Sequence, residues 1–297
     1  MKYIDAHTHA HFAAFKDDYK DVIGRATEAG VAVVNVGTQK DTSAKAVEVA
    51  HGFDKLTISE FPGGVWATVG LHPIHTDKSF HDADELGSSS DAKGFTSRGE
   101  EFDFEYYKKL ALDPKTVAIG ECGLDYFRME QSTNREEQIE KQEDAFIKQI
   151  ELAFDVKKPL MIHCRGSASS PSSAFVDLIK ILEANKSKLN NKPGIVHFFT
   201  GTIEDAKKLL DMGFYFTLGG VITFARSYDE IIKMIPMDRI LSETDAPYVT
   251  PAPFRGKRNE PAYVIYVVRK LAEIKGITEE KMAEQIWENA KRIFKLT

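Results

Sequence analysis

The chain has little of what would place it in a specialised class of protein. Among its 297 residues there are 2 cysteines, Cys122 and Cys164, which is too few for a disulfide framework and leads us to expect a reducing, cytoplasmic location. No apolar run is long enough to span a bilayer, so no membrane partner is expected. The first residues also lack the basic and then apolar pattern of a secretory signal.

Basic residues are not in excess either. The chain carries 39 Lys and Arg against 45 Asp and Glu, a formal net charge of −6. A protein that coats nucleic acid over a broad surface has the opposite balance. If this chain binds a phosphate backbone, we therefore expect it to do so locally, through metal ions and a few basic side chains.

Proline- or glycine-rich linkers are also missing, which predicts a single domain over residues 1–297. One segment, 76–101, departs from the rest because it is polar, rich in glycine and serine, and without periodicity. Such a composition is typical of a mobile surface insertion.

What the sequence does contain is a regular alternation of strand-like and helix-like segments. Repeated β-α units indicate a parallel sheet with right-handed crossovers, and eight of them predict an α/β fold of the closed (β/α)8 or TIM-barrel type. A doubly wound open sheet is the alternative, and the number of strands distinguishes the two. Two helical stretches follow the last strand. The first completes the last β-α unit, and the second is an extra C-terminal helix. The predicted strands are 3–9, 31–37, 65–72, 116–124, 160–165, 195–201, 214–219 and 239–245, and the predicted helices are 19–29, 43–51, 135–156, 174–184, 203–212, 229–234, 261–275 and 279–295.

Three histidines stand at alternate positions in the first predicted strand, in Ile4-Asp-Ala-His-Thr-His-Ala-His-Phe12. Alternate side chains of a strand point the same way, so His7 and His9 should share one face. Neutral imidazoles grouped in this way suit a transition metal. An H-x-H pair alone is more often a chance feature of a loop or strand edge, so the rest of the chain must supply further ligands.

Further metal-binding residue types fall near the carboxyl ends of other predicted strands, which is where a barrel of this kind has its chemistry. Each has a structural explanation when taken alone: a core histidine with a hydrogen bond, or a turn residue in the case of Asp245. Glu121 is different because an unpaired carboxylate in an apolar strand is costly. Their coincidence at one rim favours a metal site. The residues concerned are His72, Glu121, His163, His197 and Asp245.

Four histidines (His7, His9, His163 and His197) and two carboxylates exceed what one tetrahedral zinc requires. The set suits two divalent ions that share a carboxylate, with Mg, Mn or Zn all left open by the sequence. A metal pair lowers the pKa of a bound water and neutralises charge on the attacking and leaving oxygens of a displacement. Hydrolysis of a phosphoester is the chemistry that this set favours.

In chain order the motifs are H-x-H, G-L-H-P, G-E-x-G-L-D-Y, I-H-x-R, H-x-F-T-G, E-T-D-x-P-Y and G-x-R-N-E-P, spread over residues 4–261. This ordered set resembles the TatD family of metal-dependent deoxyribonucleases. The resemblance implies an amidohydrolase-like barrel with Glu121 bridging two metals and His72 beside the substrate phosphate. Asp245 is our candidate general base. The implied ligands are His7, His9, Glu121 and Asp245 for one metal and Glu121, His163 and His197 for the other.

Four basic residues near the same rim are candidate phosphate contacts. Arg128 and Arg165 follow predicted strands, and Lys257 and Arg258 belong to the loop after the last strand. The alternative for that loop is a solvated turn capped by Asn259. An acidic chain with a recessed site is more typical of an exonuclease, or of a nuclease of single-stranded ends, than of an enzyme that grips duplex DNA. We expect a DNA substrate and, by default, a monomer.

Two other functions stay open at this point. Enzymes of the amidohydrolase-like superfamily with the same barrel cut amides, esters or lactones, and an aminoacyl-tRNA ester is one further substrate. They usually bridge their metals with a modified lysine where this chain has Glu121, which favours the nuclease. The third possibility is a metal-binding scaffold without turnover, and the presence of competent side chains at all six ligand positions counts against it.

Overall fold

A computed structural model describes residues 2–54, 64–77, 80–81, 95–96, 99–127, 129 and 132–296. Within these residues, eight strands form one sheet in chain order, and their hydrogen-bonded pairs are parallel. They are β1 (Tyr3–Thr8), β2 (Val31–Val36), β3 (Val65–Val69), β6 (Thr116–Asp125), β7 (Leu160–Arg165), β8 (Gly194–Val196), β9 (Tyr215–Leu218) and β10 (Ile240–Ser242). The short strands β4 (Phe80–His81) and β5 (Phe95–Thr96) form a separate antiparallel pair.

The two ends of the large sheet meet, so the sheet is nearly closed. The Ser242 hydroxyl donates to the carbonyl oxygen of Ile4 at 2.8 Å, and the amide of Asp245 donates to the carbonyl oxygen of His7 at 2.9 Å. The predicted (β/α)8 barrel is therefore confirmed, and the open sheet is wrong. Because all eight strands are parallel, their carboxyl ends share one rim.

Helices connect successive barrel strands, and two more follow the last strand as predicted. Helix α3 was not anticipated, since it has only eight residues and only Tyr107 and Ala111 are buried. Asp103 starts it by accepting a hydrogen bond from the amide of Tyr106, as an N-cap residue does. The helices are α1 (Tyr19–Glu28), α2 (Lys40–Gly52), α3 (Phe104–Ala111), α4 (Arg135–Asp155), α5 (Ser173–Ala184), α6 (Ile203–Asp211), α7 (Asp229–Met234), α8 (Val264–Lys275) and α9 (Glu279–Phe294).

Several barrel strands end earlier than the sequence pattern predicts, and in two of them the early end places a candidate ligand in a loop. β8 stops at Val196 and β10 at Ser242, whereas hydrophobicity alone extended them to residues 201 and 245. The cause is backbone geometry: Phe198 and Asp245 adopt φ values of 44° and 56°, which strands do not tolerate. His197 and Asp245 therefore lie in the loops directly after their strands.

Helix α4 holds two rim strands through buried glutamines. Gln142 exchanges two hydrogen bonds with the backbone of Asp125, at 2.9 and 3.0 Å. Gln149 does the same with Leu71, also at 2.9 and 3.0 Å. Each pair of bonds satisfies backbone groups that the parallel ladder leaves unpaired at a strand end. The glutamines thus fix the rim positions next to Glu121 and His72.

Some predictions concern residues outside this description. Most of the predicted mobile insertion at 76–101 and the candidate phosphate contact Arg128 lie outside the described residues. The single-domain assignment stays a prediction. In the described part of the chain, no helix combines the length and apolarity needed to cross a bilayer.

At the opposite end of the barrel, His51 joins two carboxylates. Its Nε2 lies 3.0 Å from Asp113, its Nδ1 lies 3.1 Å from Asp54, and Lys115 pairs with that same Asp54. The hydrogen bond to Asp113 is the largest cause raising the pKa of His51. Because the folded pKa lies above the unfolded value, the stabilisation is complete at low pH and is lost as pH rises through the folded pKa.

We therefore expect His51→Gln to lower the melting temperature at about pH 5.5 by about 1–3 °C and to have less effect near pH 9. Thermal unfolding followed by circular dichroism at both pH values would measure the difference. An effect of equal size at both values would contradict the assignment of the stabilisation to the charged imidazole.

Candidate metal centre

Glu121 projects into the barrel mouth from an irregular part of β6, where the pairing with β7 shifts register. The glycines on either side make this path possible. Gly120 and Gly123 have φ values of +148° and +128°, and a Cβ there would lie 2.2 Å from the carbonyl oxygen of Met161 and 2.1 Å from that of His163. Only glycine fits such a backbone. The spacing of the G-E-C-G motif is therefore a requirement of the strand that presents Glu121.

Five imidazoles surround the Glu121 carboxylate, which is almost fully buried. One carboxylate oxygen faces the histidines of β1, and the other faces those of the β3, β7 and β8 ends. A carboxylate whose two oxygens face different groups of nitrogen atoms is arranged to bridge two metal ions. Oε2 lies 3.5 Å from His7 Nε2 and 3.6 Å from His9 Nε2, and Oε1 lies 2.8 Å from His197 Nε2, 3.1 Å from His163 Nδ1 and 3.2 Å from His72 Nε2.

The first group of donor atoms belongs to His7, His9, Glu121 and Asp245. The two Nε2 atoms lie 3.3 Å apart, and Asp245 Oδ1 lies 3.7 Å from His7 Nε2 and 3.5 Å from His9 Nε2. Most of these separations are longer than a good hydrogen bond. They match the edges of a tetrahedron of ligands, about 3.3–3.5 Å for metal–ligand distances of 2.0–2.1 Å. The residues present fit a metal ion.

The second group consists of Glu121, His163 and His197. His163 Nδ1 and His197 Nε2 lie 3.2 Å apart, and both approach the same oxygen of Glu121. The three donor atoms lie within 3.2 Å of one another, so this group could hold a second ion. The family resemblance implied this set of three residues, and the structure brings them together.

In two of these rings a hydrogen bond on the far side sets which nitrogen offers a lone pair. His9 Nδ1 donates to the carbonyl oxygen of Val36 at 2.8 Å, and His163 Nε2 donates to Asp125 Oδ2 at 2.7 Å. Their other nitrogens are then free to bind a metal, which is the usual arrangement for ligating histidines.

His72 is arranged in the opposite way. Its Nδ1 accepts a hydrogen bond from the amide of Ile74 at 3.2 Å, so the proton sits on Nε2, which donates to Glu121. Burial lowers the pKa of His72 to about 4, and the ring is neutral at neutral pH. His72 is therefore placed as a hydrogen-bond donor and not as a ligand, although its Nε2 lies near ligand-type atoms of Glu121 and His163.

The imidazoles at the centre keep the carboxylates ionised. Burial alone would raise the pKa of Glu121, but the surrounding imidazoles of His72, His197 and His7 outweigh burial and hold that pKa well below its usual range. Burial opposes ionisation of Asp245 as well, but the imidazoles of His9 and His7 lower its pKa. An ionised carboxylate can bind a cation or accept a proton.

A family model described as TatD related DNase matches residues 4–295 of this chain. The chain belongs to the TatD family. It is 36% identical over 295 residues to the uncharacterized metal-dependent hydrolase YabD of Bacillus subtilis (strain 168), with 98% of each chain covered. It is 32% identical over 289 residues to the 3'-5' ssDNA/RNA exonuclease TatD of Pantoea vagans (strain C9-1), with 95% of each covered. The crystal structure of the TatD homologue YJJV from Escherichia coli K12 matches with a TM-score of 0.76 at 25% identity, covering 100% of this chain and 99% of that one.

Membership of the TatD family makes this chain a metal-dependent hydrolase. The amidohydrolase-like fold named from the sequence is also confirmed.

In this TatD-family protein the loop after β10 contacts the loop after β1. The Arg258 guanidinium forms a two-pronged pair with Asp18, at 2.5 and 3.0 Å, and donates to the carbonyl oxygen of Ala14 at 2.7 Å. Glu260 pairs in the same way with Arg25, at 2.8 and 3.0 Å. Phosphate binding by Arg258 stays a prediction, but its guanidinium already joins the two loops.

Between these two ion pairs lies the fully buried Asn259. Its Nδ2 donates to the carbonyl oxygens of Thr244 and Tyr248 at 2.9 and 2.6 Å. These carbonyls lie on either side of Asp245 along the chain. Asn259 therefore fixes the turn that presents Asp245, which goes beyond the helix-capping role considered from sequence. We call Arg258, Asn259 and Glu260 the closing loop.

The neighbours Lys257 and Arg258 should consequently behave differently when replaced. Arg258→Ala removes the pair with Asp18 and should lower the free energy of unfolding by about 1–2 kcal/mol. Lys257 is exposed, so Lys257→Ala should leave stability unchanged and raise the KM for an oligonucleotide a few-fold. Urea unfolding and steady-state kinetics on both variants would measure this. Equal losses of stability would refute the distinction.

Sequence reasoning assigned no role to two carboxylates that orient this centre. Asp125 accepts from His163 and from the amide of Phe127 at 3.0 Å. Glu243 accepts from the amide of Phe198 at 2.8 Å and from the Thr217 hydroxyl, and its Oε2 lies 3.6 Å from His197 Nδ1. Asp125 lies in the motif G-E-x-G-L-D-Y and Glu243 in the motif E-T-D-x-P-Y. The sequence therefore did contain a signal, because each is an acidic motif residue to which no role had been assigned.

Asp125→Asn should weaken metal binding at the second group about 10–100-fold, because the amide no longer holds the His163 ring as strongly. Titration calorimetry with Mn²⁺ or Zn²⁺ would measure the affinity. Asp144→Asn is the matched control, since Asp144 lies on the exposed face of α4 and pairs with Lys148. Unchanged affinity in Asp125→Asn would remove Asp125 from the centre.

Proposed function

We propose that this TatD-family hydrolase cleaves phosphodiester bonds of DNA as a single-strand or end-directed exonuclease that uses two divalent ions. The observation that carries the proposal is the Glu121 carboxylate, whose two oxygens face two separate sets of histidines. A shared carboxylate between two nitrogen-rich groups is suited to a metal pair, and metal pairs are suited to displacement at phosphorus.

In this proposal His7, His9, Glu121 and Asp245 hold one ion, and Glu121, His163 and His197 hold the other. When bound, the ions lower the pKa of water and neutralise charge on phosphate oxygens. The chain supplies the remaining functions. Asp245 is ionised and accepts the proton of the attacking water as general base.

His72 supplies a hydrogen bond to the substrate. Its Nε2–H is fixed by the bond from Ile74 to Nδ1 and donates to Glu121 in this structure. It would transfer that hydrogen bond to a phosphate oxygen that enters beside Glu121. Arg165, at the end of β7, and Lys257 add positive charge at the rim, as the sequence predicted. A few local cations are consistent with a chain whose net charge is −6.

The choice of substrate is supported by the name of one relative. The Pantoea vagans protein is called a 3'-5' ssDNA/RNA exonuclease, and we extend the single-strand preference and the end-directed action to this chain. Structures of a guanine deaminase and a dihydroorotase match at 11% and 13% identity and support the fold alone. Cytoplasmic location and a monomeric state stay predictions.

The test is digestion of end-labelled single-stranded DNA by chelator-treated protein, repeated after addition of Mg²⁺, Mn²⁺ or Zn²⁺. We expect a ladder that starts at one end and appears only with metal. The Asp245→Ala variant, purified in parallel, should give no ladder. Stoichiometric metal uptake without cleavage of any DNA would refute the nuclease and direct the search to amide, ester or lactone substrates.

A further inference from the structure

An exposed aromatic side chain lies on the same rim as the metal centre. The side chain of Phe224 is 43% exposed. Phe224 follows β9, in the loop that packs against the loop after β10. The Thr223 hydroxyl accepts a hydrogen bond from the amide of Ala252 at 2.9 Å, which joins these two loops.

An arginine is stacked on this ring. The Arg255 guanidinium carbon lies 3.9 Å from the centroid of Phe224, and its Nη1 donates to the carbonyl oxygen of Thr250 at 3.2 Å. The hydrogen bond fixes the orientation of the guanidinium plane. The result is a flat, positively charged platform of π surface, which is the feature that binds unpaired bases without regard to sequence.

The turn that carries the platform begins beside the metal centre. A Cβ at Gly219, which precedes the Phe224 turn, would lie 3.4 Å from the ring of Phe198 and 3.5 Å from Glu243. Glu243 in turn bonds the amide of Phe198 and approaches His197. Gly219, at the start of the turn that leads to Phe224, is therefore adjacent to the β8 side of the centre.

A similar pair occupies another part of the rim. Arg165 lies 3.5 Å from the centroid of Phe127, and the amide of Phe127 bonds Asp125, the partner of His163. β8 and His197 lie between the two pairs around the barrel. A strand that crosses the mouth can place its scissile phosphate at the metals and its flanking bases toward the two pairs.

We propose that Phe224 and Arg255 form a stacking subsite for an unpaired nucleobase next to the scissile phosphate. The inference rests on the proposed nuclease function, and it assigns residues that the sequence motifs did not include. Duplex DNA presents its bases already stacked, so the subsite also provides a reason for selecting single strands. The selectivity would come from π surface and not from base-edge hydrogen bonds.

The first experiment measures binding of a fluorescein-labelled oligothymidylate to the purified protein by anisotropy, followed by the KM for its cleavage. Phe224→Ala should weaken binding and raise KM about ten-fold or more. Phe224→Trp should restore both values. Arg255→Lys keeps the positive charge but not the planar guanidinium, and it should weaken binding several-fold. Phe154→Ala is the matched control, because Phe154 is 48% exposed at the far end of α4, near the opposite rim.

A second substrate series locates the base. Replacing successive nucleotides by abasic residues should produce one position at which wild-type protein and Phe224→Ala behave alike. If wild-type protein cleaves DNA and Phe224→Ala matches Phe154→Ala on every substrate, the subsite is refuted while the nuclease stands. If wild-type protein binds the oligonucleotide without cleaving it, weaker binding by Phe224→Ala still supports the subsite. If wild-type protein does not bind it, both proposals fail.

Discussion

Glu121→Ala should abolish metal binding at the paired site and reduce turnover by a factor on the order of 10³ or more. The effect is large because both oxygens of this carboxylate face histidine groups, at 2.8 Å from His197 and 3.5 Å from His7. Its removal also leaves several buried imidazoles without the negative charge that they face. Metal per protein after dialysis, measured by inductively coupled plasma mass spectrometry, and kcat on single-stranded DNA give the two readouts.

Glu151→Ala is the control for this experiment, since Glu151 pairs with Lys188 on the surface and should leave metal content and kcat unchanged. Retention of two metals per chain by Glu121→Ala would refute the bridging assignment. Loss of a single metal with full activity would show that one group alone carries the reaction. Circular dichroism on each variant distinguishes a lost site from a lost fold.

Asp245→Asn should lower kcat about 10²–10⁴-fold, the range expected when a positioned general base is removed. The amide keeps the size of the side chain and the positive-φ turn, so the loop held by Asn259 is preserved. Binding of the oligonucleotide should change much less than kcat. Single-turnover cleavage at saturating enzyme measures the chemical step separately from substrate binding.

Metal occupancy must be measured on the same samples, because Asp245 Oδ1 also lies among the donor atoms of the first group. Asp238→Asn, which alters a surface pair with Arg239, is the control. A kcat within two-fold of wild type, at full metal occupancy, would exclude Asp245 as the base. A kcat restored in full by high metal concentration would assign Asp245 a ligand role alone.

The barrel and the residues at its centre could be predicted because both follow from rules that act along the chain. Parallel strands end at one rim, so the sequence alone was enough to expect His7, Glu121 and His163 together. The same rules fail where the backbone leaves regular geometry. β8 and β10 end early because Phe198 and Asp245 have positive φ values, and no hydrophobic pattern reports such a conformation.

Partners that are distant in sequence were the second limit. Arg258 and Asp18 lie 240 residues apart, and neither belongs to a pattern that refers to the other. From sequence, Arg258 was a cation near a rim, which predicts a phosphate contact as readily as an ion pair. Asp125 was missed for a related reason, because its role depends on the ring of His163 and not on any neighbour in the chain.

The position of Asp245 near the end of the chain also has a consequence for the order in which the centre forms. The second donor group comes from β6, β7 and the end of β8, which are consecutive in the barrel and complete before residue 200. The first group needs Asp245, whose turn is held to β1 by the bond from Thr244 to Asp5, across 239 residues. During synthesis, His7 and His9 therefore emerge first and acquire their last partner near the end. The second donor group assembles from neighbouring segments. The first donor group is complete only after the two ends of the barrel sheet have paired, and such long-range pairing slows folding.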